Sequence, residues 1–328
     1  DNTAIGANAG GTGVMTGALN TLVGSAAGNQ ITSGQKNTII GGDAGDVLTT
    51  GSFNVALGQE ALGTETQGNY SVCMGQGALL NQNNTTSVNV YNTALGHAAG
   101  NQITSGKHNT IVGGLAADNL TTGNENCIIG YNHTSTTTGT QCIMIGSQNG
   151  SSSTSVFNEI VMGRAASGSG ANTFTIGFGD TDVQISVDGS DTSWSATSDE
   201  RLKDNINSLS VGLDFINELR PVTYEWKKKK DVDESLVVDG KTVQSKYYEE
   251  DSTESCRGDG GIHYGLIAQE IKTTIDKYNL TGNHHIWKEG VDGFQVVGVG
   301  NVMPILINAV KELSTALDAA VARIKTLE

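Results

Sequence analysis

The pentapeptide NTIIG at residues 37–41 decides the fold of the first half of the chain, because variants of it return at a short interval. The clear copies are NTAIG at 2–6, NTLVG at 20–24, NVALG at 54–58, SVCMG at 71–75, NTALG at 92–96, NTIVG at 109–113 and NCIIG at 126–130. Weaker copies are CIMIG at 142–146, EIVMG at 159–163 and TFTIG at 173–177. The copies that begin at residues 20, 37, 54 and 71 are equally spaced, and the longest step between copies runs from 71 to 92. The first half is therefore an internal repeat.

A unit of this length is too short for a pair of helices, and its composition favours β-structure. Asparagine, threonine, isoleucine and valine followed by glycine are typical of a short strand that ends in a turn. A second apolar position recurs at Ile31, Leu48, Ile103 and Leu120, so we predict two short strands and two turns per unit. Coils stacked about 4.8 Å apart pair each backbone with the next one. The sequence thus predicts a mainly β chain, with a parallel β-solenoid or β-roll over residues 1–187.

A single thin coil of small residues has little core, so the solenoid is expected to need partners. The alanine pairs Ala26–Ala27 and Ala98–Ala99 suggest a surface on which neighbouring copies pack closely. We therefore expect several chains side by side and no stable monomer. The asparagines that begin most units are expected to form side-chain ladders between coils.

Charge divides the chain into two regions. The net charge is −15 at pH 7, yet residues 1–187 hold only three basic residues, Lys36, Lys107 and Arg164, and ten acidic ones. A stretch rich in serine, threonine and aspartate at 188–197 is interpreted as a linker, and residues 198–328 as a second domain. The acidic balance argues against nucleic acid as a partner.

Several classes of site and activity are excluded at this stage. The four cysteines include no CxxC pair and the six histidines show no metal-ligand spacing, so neither a metal nor a cofactor is expected. No apolar run reaches the roughly 18 residues of a membrane span, so no membrane insertion is expected. The carboxylates of residues 1–187 are scattered, without the close pair that glycoside hydrolysis needs. No enzymatic activity is therefore expected in residues 1–187, which we call the shaft.

The second domain carries four motifs: TSDERLKDNI at 197–206, LRPVTYEW at 219–226, YGLIAQE at 264–270 and ILINAVKEL at 305–313. By spacing alone, the first motif is also compatible with a helix start. Ser198 would then be the N-cap, with Asp199 and Glu200 in the first turn.

A heptad pattern closes the sequence, at about residues 303–328. Its apolar residues step alternately by four and three positions, as in helices that pack in a coiled coil. They are Leu306, Val310, Leu313, Leu317, Ala320, Ile324 and Leu327. Periodicity predicts association without its order, and the repetitive shaft upstream leads us to expect three chains.

In this order, the four motifs resemble the C-terminal intramolecular chaperone and auto-processing domain of endosialidase-type phage tail spikes and fibres, over about residues 195–328. The repeats of the first region resemble the trimeric β-roll head of YadA-type adhesins and the shafts of phage fibres. The resemblance implies an α+β domain that ends in a trimeric coiled coil, aligns three shafts and then cuts itself off before a serine.

Carried over to this sequence, the resemblance implies a scissile bond at Thr197–Ser198, with Ser198 as nucleophile and Lys203 as general base. Asp199 and Arg201 match the family's motif and would orient the loop. The domain would thus act once, as a self-cleaving serine peptidase with a Ser–Lys dyad. Attack on the chain's own carbonyl and attack on that of a neighbouring chain both remain open.

The same resemblance implies a function. The chain would be part of a phage tail fibre or spike in the virion, assembled in the host cytoplasm as a homotrimer. It would join other tail proteins through a preceding part of the polypeptide and bind a host receptor, a glycan or an outer-surface protein. The alternative is a bacterial trimeric surface adhesin with a retained, non-cleaving trimerisation tip. Such an adhesin is expected to end in a membrane anchor, whereas these motifs end in a heptad helix.

Overall fold

A computed structural model describes residues 1–11, 14–133, 137–179, 181–189, 193–196, 198–233, 237–238, 241–242, 247–257, 260–280, 285–290 and 294–327. The chain divides into two compact units, Asp1–Leu202 and Lys203–Glu328. The first unit is a β-solenoid, and the second combines short helices with two-stranded sheets.

The solenoid strands follow the repeat. They are β1 (Thr3–Ile5), β2 (Thr21–Val23), β3 (Thr38–Ile40), β4 (Val55–Leu57), β5 (Val72–Met74), β6 (Thr93–Leu95), β7 (Thr110–Val112), β8 (Cys127–Tyr131), β9 (Ile143–Ser147), β10 (Ile160–Arg164) and β11 (Thr173–Phe178). Each pairs in parallel with the next at a register of one repeat, so that Leu22 lies beside Ile39 and Ile39 beside Ala56. Antiparallel strands β12 (Val183–Ser186) and β13 (Ser195–Ala196) extend the same sheet. The predicted parallel β-solenoid is confirmed.

The prediction of two strands per unit is wrong. Ile31 and Leu48 are fully buried, as expected, but lie outside the strands. Neighbouring coils are still hydrogen-bonded there, since the N–H of Thr32 donates to the carbonyl of Thr49 at 2.9 Å. Such a short coil must reverse its direction within a few residues, and residues with positive φ flank the segment on both sides, at Ala26 and Lys36.

The alanine surface is also wrong as a prediction. Ala27 and Ala99 are fully buried and Ala98 is 8% exposed within the single chain. Ala27 and Ala99 belong to one hydrophobic core with the inward-facing middle residues of the strands, such as Leu22 and Ile39. A thin coil whose interior already holds those side chains leaves room for a methyl group only. Ala27 and Ala99 therefore fill the interior of the solenoid.

The asparagine ladder is present. Asn20 Oδ1 accepts hydrogen bonds from the backbone N–H and the Nδ2 of Asn37, each at 3.0 Å. Asn37 Nδ2 also donates to the carbonyl of Gly51 at 3.0 Å. The same pattern recurs between Asn109 and Asn126. Each amide thus satisfies backbone groups that the turns leave unpaired inside the coil.

The second unit has its own elements. They are α1 (Leu213–Glu218), β14 (Val222–Tyr224), β15 (Val237–Val238), β16 (Lys241–Thr242), β17 (His263–Gly265), α2 (Ala268–Lys277), β18 (Trp287–Glu289), β19 (Gln295–Val297) and α3 (Met303–Lys325). A core that includes Phe215 of α1, Ile271 and Ile275 of α2, Ile305 of α3 and also Ile286 packs the three helices together. The predicted α+β unit with a closing helix is confirmed.

Candidate processing site

The proposed cleavage segment follows β13. Thr197 lies outside the described residues, and Ser198 is exposed. A short 3₁₀ helix spans Glu200–Leu202, which is much shorter than the α-helix that the capped-start interpretation implies. The nucleophile predicted from the sequence therefore lies in an accessible connecting segment.

Asp199 and Arg201 are brought together as a pair. Arg201 donates from Nε to Asp199 Oδ1 at 3.0 Å and from NH2 to Asp199 Oδ2 at 2.6 Å. The backbone N–H of Arg201 also donates to Asp199 Oδ1, at 2.9 Å. The hydrogen bond to Asp199 raises the pKa of the Arg201 guanidinium. A two-pronged pair that also ties the backbone restrains the segment directly after Ser198.

Ser198 lies in the first compact unit, and Lys203 is the first residue of the second. Lys203 is exposed in the single chain. The roles of these two residues stay predictions.

Two of the sequence motifs meet in the second unit. Strand β14, from LRPVTYEW, pairs antiparallel with β17, which ends in the first residues of YGLIAQE, so that Thr223 lies opposite Tyr264. Arg220 of LRPVTYEW forms a two-pronged ion pair with Glu270 of YGLIAQE. The motifs thus build one continuous piece of structure.

Sequence reasoning missed two polar residues on α3. Glu312 Oε2 accepts a hydrogen bond from the backbone N–H of Leu213 at 2.7 Å, and Asn308 Nδ2 donates to the carbonyl of Val211 at 3.0 Å. These contacts hold the start of α1 against the closing helix. Their spacing of four residues, which places both on one face of the helix, is the sequence signal that points to them.

The apolar seam of α3 is unpartnered in the single chain. Five of its residues and Leu327, which follows the helix, are between 41% and 80% exposed; the five are Leu306, Val310, Leu313, Leu317 and Ile324. Large apolar side chains aligned on one exposed helix face mark an association surface. The residues of the predicted coiled coil therefore lie on a helix face that is available for pairing with another helix.

The described residues contain no group of three or more histidine, cysteine, aspartate or glutamate side chains placed to hold a metal ion. In the same part of the chain, no helix combines the length and the hydropathy that crossing a bilayer requires.

Comparison with known proteins gives one match. Residues 198–279 fit the family model Peptidase_S74, described as the chaperone of endosialidase. No curated protein and no solved structure matches the chain. The matched segment begins at Ser198 and contains the β14–β17 pair and the Arg220–Glu270 contact. The chain therefore carries a chaperone-of-endosialidase domain at residues 198–279, after a parallel β-solenoid.

Proposed function

We propose that this chain is part of a trimeric phage tail fibre or tail spike, in which the C-terminal domain aligns three shafts and then cuts itself off at Thr197–Ser198. The observation that carries the proposal is the family match, which begins at Ser198 and follows a repetitive solenoid. A chaperone domain joined to a repetitive shaft indicates a role in trimerisation and folding.

The solenoid offers a surface for assembly. The residue after each inward-facing strand residue points outward, and this position is apolar in all eleven parallel strands: Ile5, Val23, Ile40, Leu57, Met74, Leu95, Val112, Ile129, Ile145, Met162 and Ile176. Of these, Ile5, Met74, Ile129 and Ile176 are 37% to 61% exposed, and the other seven are partly buried in the single chain. An outward apolar column of this length favours burial against other copies of the chain. It replaces the alanine pairs as the support for a homotrimer.

A repetitive shaft needs an alignment device. A slip of one repeat would still place most strands of one chain beside equivalent strands of another, so the shaft specifies its own register weakly. A heptad helix without such a repeat brings three chains together at one register and lowers the entropic cost of aligning the rest. The seam on α3 is placed to do this.

The proposed reaction is an acyl transfer followed by hydrolysis. Ser198 Oγ attacks the carbonyl carbon of Thr197, in its own or a neighbouring chain, while the amine of Lys203 accepts the hydroxyl proton. The Thr197–Ser198 C–N bond breaks, an ester forms on Oγ, and the leaving amine takes a proton. Water then hydrolyses the ester, which regenerates the Ser198 hydroxyl and leaves a carboxylate on Thr197.

Burial of Lys203 by assembly would couple cleavage to folding. The amine becomes a base when neighbouring chains remove its water, so an unassembled chain stays uncut. Once the aligning domain has left, the shaft loses the nucleus through which it would unfold and refold, and its stability becomes kinetic. The remaining shaft would serve in the virion, joined to other tail proteins and facing a host receptor.

The test compares the purified protein with Ser198→Ala by denaturing electrophoresis and intact-mass analysis. We expect a shaft that ends at Thr197 and a released fragment that spans residues 198–328, both absent from the variant. A single uncut species in both preparations would remove the catalytic roles of Ser198 and Lys203. It would leave the domain as a retained trimerisation tip.

A further inference from the structure

The longest coil of the solenoid breaks the length rule of its neighbours. It runs from Ser71 to Asn92, whereas the coils on either side run from 54 to 71 and from 92 to 109. The excess over a regular coil is four residues. An insertion of this size either bulges away from the stack or is tied to it by contacts of its own.

Near this insertion, the core of the solenoid also differs from that of the flanking coils. Glu65 and Gln82 occupy the position that Leu48 and Ile103 hold in flanking coils. Both polar side chains are fully buried. Burying a carboxylate and an amide where a leucine would fit lowers stability unless every group is hydrogen-bonded.

The buried pair holds the four extra residues in place. Glu65 accepts hydrogen bonds from the backbone N–H and the Nδ2 of Asn84, at 3.0 and 2.9 Å. It also accepts from Gln82 Nε2 at 2.9 Å and from the backbone N–H groups of residues 66–68. Gln82 in turn bridges Ser71 and Asn92, and so closes the gap that Ser71 leaves in the asparagine ladder. The loop at residues 83–89, which contains the four extra residues and which we call the overhang, is thus anchored from inside at Asn84.

The overhang and the next two coils border an open groove of about 440 Å³. Thr85, Thr86 and Val88 of the overhang line one side of it. Ser105, Lys107, Thr122 and Asn124, which recur at equivalent positions of two successive coils, line the other. The groove therefore exists because of the insertion, and a coil of ordinary length would lack it.

The lining has a definite chemistry. Hydroxyl and amide groups dominate it, Val88 adds an apolar contact, and Lys107 supplies a positive charge. Within the described part of the chain, the Lys107 ammonium has no carboxylate at ion-pair distance, although residues 1–187 carry ten acidic residues and three basic ones. Hydroxyls and amides match the hydroxyl groups of sugars, and the ammonium of a partly buried lysine matches a carboxylate or phosphate.

We propose that this groove is a binding site for an acidic saccharide, a sugar unit that carries a carboxylate or a phosphate. The inference rests on the proposed attachment role of the shaft and gives that role a location and a ligand class. Overhang hydroxyls and coil hydroxyls would hydrogen-bond the sugar, and Lys107 would pair with its anionic group. The outward apolar column proposed for assembly uses a different position of the coil, within the strands.

The test measures binding of two probes to the purified protein by saturation-transfer NMR and calorimetry. The probes are a hexuronate disaccharide and a hexose phosphate, with the uncharged disaccharide as reference. We expect at least one acidic probe to bind more tightly than the reference, and Lys107→Gln to weaken it about tenfold, the loss of one charge-assisted hydrogen bond. The probe that binds identifies the source of the charge.

Lys36→Gln is the matched control, since it removes a shaft lysine outside the groove and is expected to leave binding unchanged. Ser105→Tyr, which fills the groove, is expected to abolish binding. Absence of binding by both acidic probes, or equal binding by wild type and Lys107→Gln, would overturn this inference. If trimers still form and cleavage still occurs in that case, the proposed function stands while the saccharide site does not.

Discussion

Gly41 lies directly against Gly58 of the next coil. A methyl group on the Cα of Gly41 would overlap the carbonyl oxygen of Gly58, and the φ of Gly41 is +142°. The N–H of Gly41 meanwhile donates to the carbonyl of Val23 in the coil before, at 2.8 Å. The glycines that end the pentapeptides from Gly6 to Gly163 therefore allow the coils to stack at the spacing that their hydrogen bonds require, and a side chain would force them apart.

Gly41→Ala is expected to destabilise the solenoid by about 3 kcal/mol or more, because both the φ and the neighbouring backbone oppose a Cβ. Gly42→Ala is the matched control, since a Cβ there meets no atom within 4 Å. That variant is expected to change the free energy of unfolding by less than about 1 kcal/mol. Denaturant unfolding of the two variants measures this difference. Equal unfolding midpoints would contradict the proposed role of the glycines that end the pentapeptides.

Glu65→Gln is expected to lower the free energy of unfolding by about 2–4 kcal/mol. The new amide nitrogen would face the Nδ2 of Asn84 or the Nε2 of Gln82, and two donors in contact leave a buried group unpaired. Glu125→Gln is the control, because Glu125 bonds Gln141 at an exposed site and its loss of charge should cost less than about 0.5 kcal/mol. Similar losses in both variants would show that the buried network does not hold the overhang.

His133 predicts a pH dependence of shaft stability. It replaces the buried alanine of other coils, such as Ala116, and burial lowers its pKa from 6.5 to about 4. The unfolded chain binds a proton below its own pKa, while the folded chain binds it only near the lowered value. The free energy of unfolding therefore decreases as the pH falls from 6.5 towards 4, by about 1.4 kcal/mol per pH unit for this group.

His133→Ala, which restores the residue of the repeat, is expected to flatten this acid limb relative to wild type. His97→Ala, at an exposed position, is expected to keep it. Unfolding midpoints between pH 8 and pH 4 give the comparison. An acid limb of equal slope in wild type and His133→Ala would assign the pH dependence to other groups.

Leu317→Glu is expected to weaken trimer formation by about 2 kcal/mol or more per chain, because three carboxylates would meet inside the helix seam. Ala322→Glu adds the same charge to α3 outside the heptad positions and is expected to leave assembly unchanged. Sedimentation equilibrium measures both. A trimer of wild-type stability in Leu317→Glu would exclude α3 as the aligning element.

Arg201→Ala is expected to slow self-cleavage at least about tenfold, because the Asp199 pair restrains the segment that follows Ser198. Arg201→Lys keeps the charge without the fork and is expected to fall between the variant and wild type. The fraction of cut chain is followed over time after synthesis. An unchanged rate in Arg201→Ala would reduce the pair to a local structural contact.

Much of the solenoid follows from its pattern. Strand positions at NTLVG and NTIIG, the parallel register and the asparagine ladder were predictable because each depends on residues that recur at one interval. The second strand and the alanine surface were not, since both depend on how much space the interior of a coil offers. The Glu65–Gln82 pair was hidden for a related reason. A glutamate within a repeat indicates a surface residue unless the overhang that supplies its partners is known.

The contacts of the candidate processing segment and of the domain that follows it also fall into predictable and unpredictable ones. Asp199 and Arg201 are two residues apart, so their pairing depends on local geometry that a motif conveys. Arg220 and Glu270 are 50 residues apart, and Val211 and Asn308 are 97 apart. Contacts of that separation depend on how β14, β17, α1 and α3 pack, and no spacing in the sequence encodes them.

The amino-acid sequence alone determined the periodic features of this protein, a parallel coil of short strands and a helix with a heptad seam. Periodicity is a local property, because each residue type is repeated where the backbone repeats. Tertiary structure alone decided which side chains turn inward, that the alanines are core, that a buried carboxylate anchors the longest coil, and that a groove opens beneath it. These depend on the volume left inside the coil and on the hydrogen-bond partners brought to each buried polar group, which exist only once the chain has closed on itself.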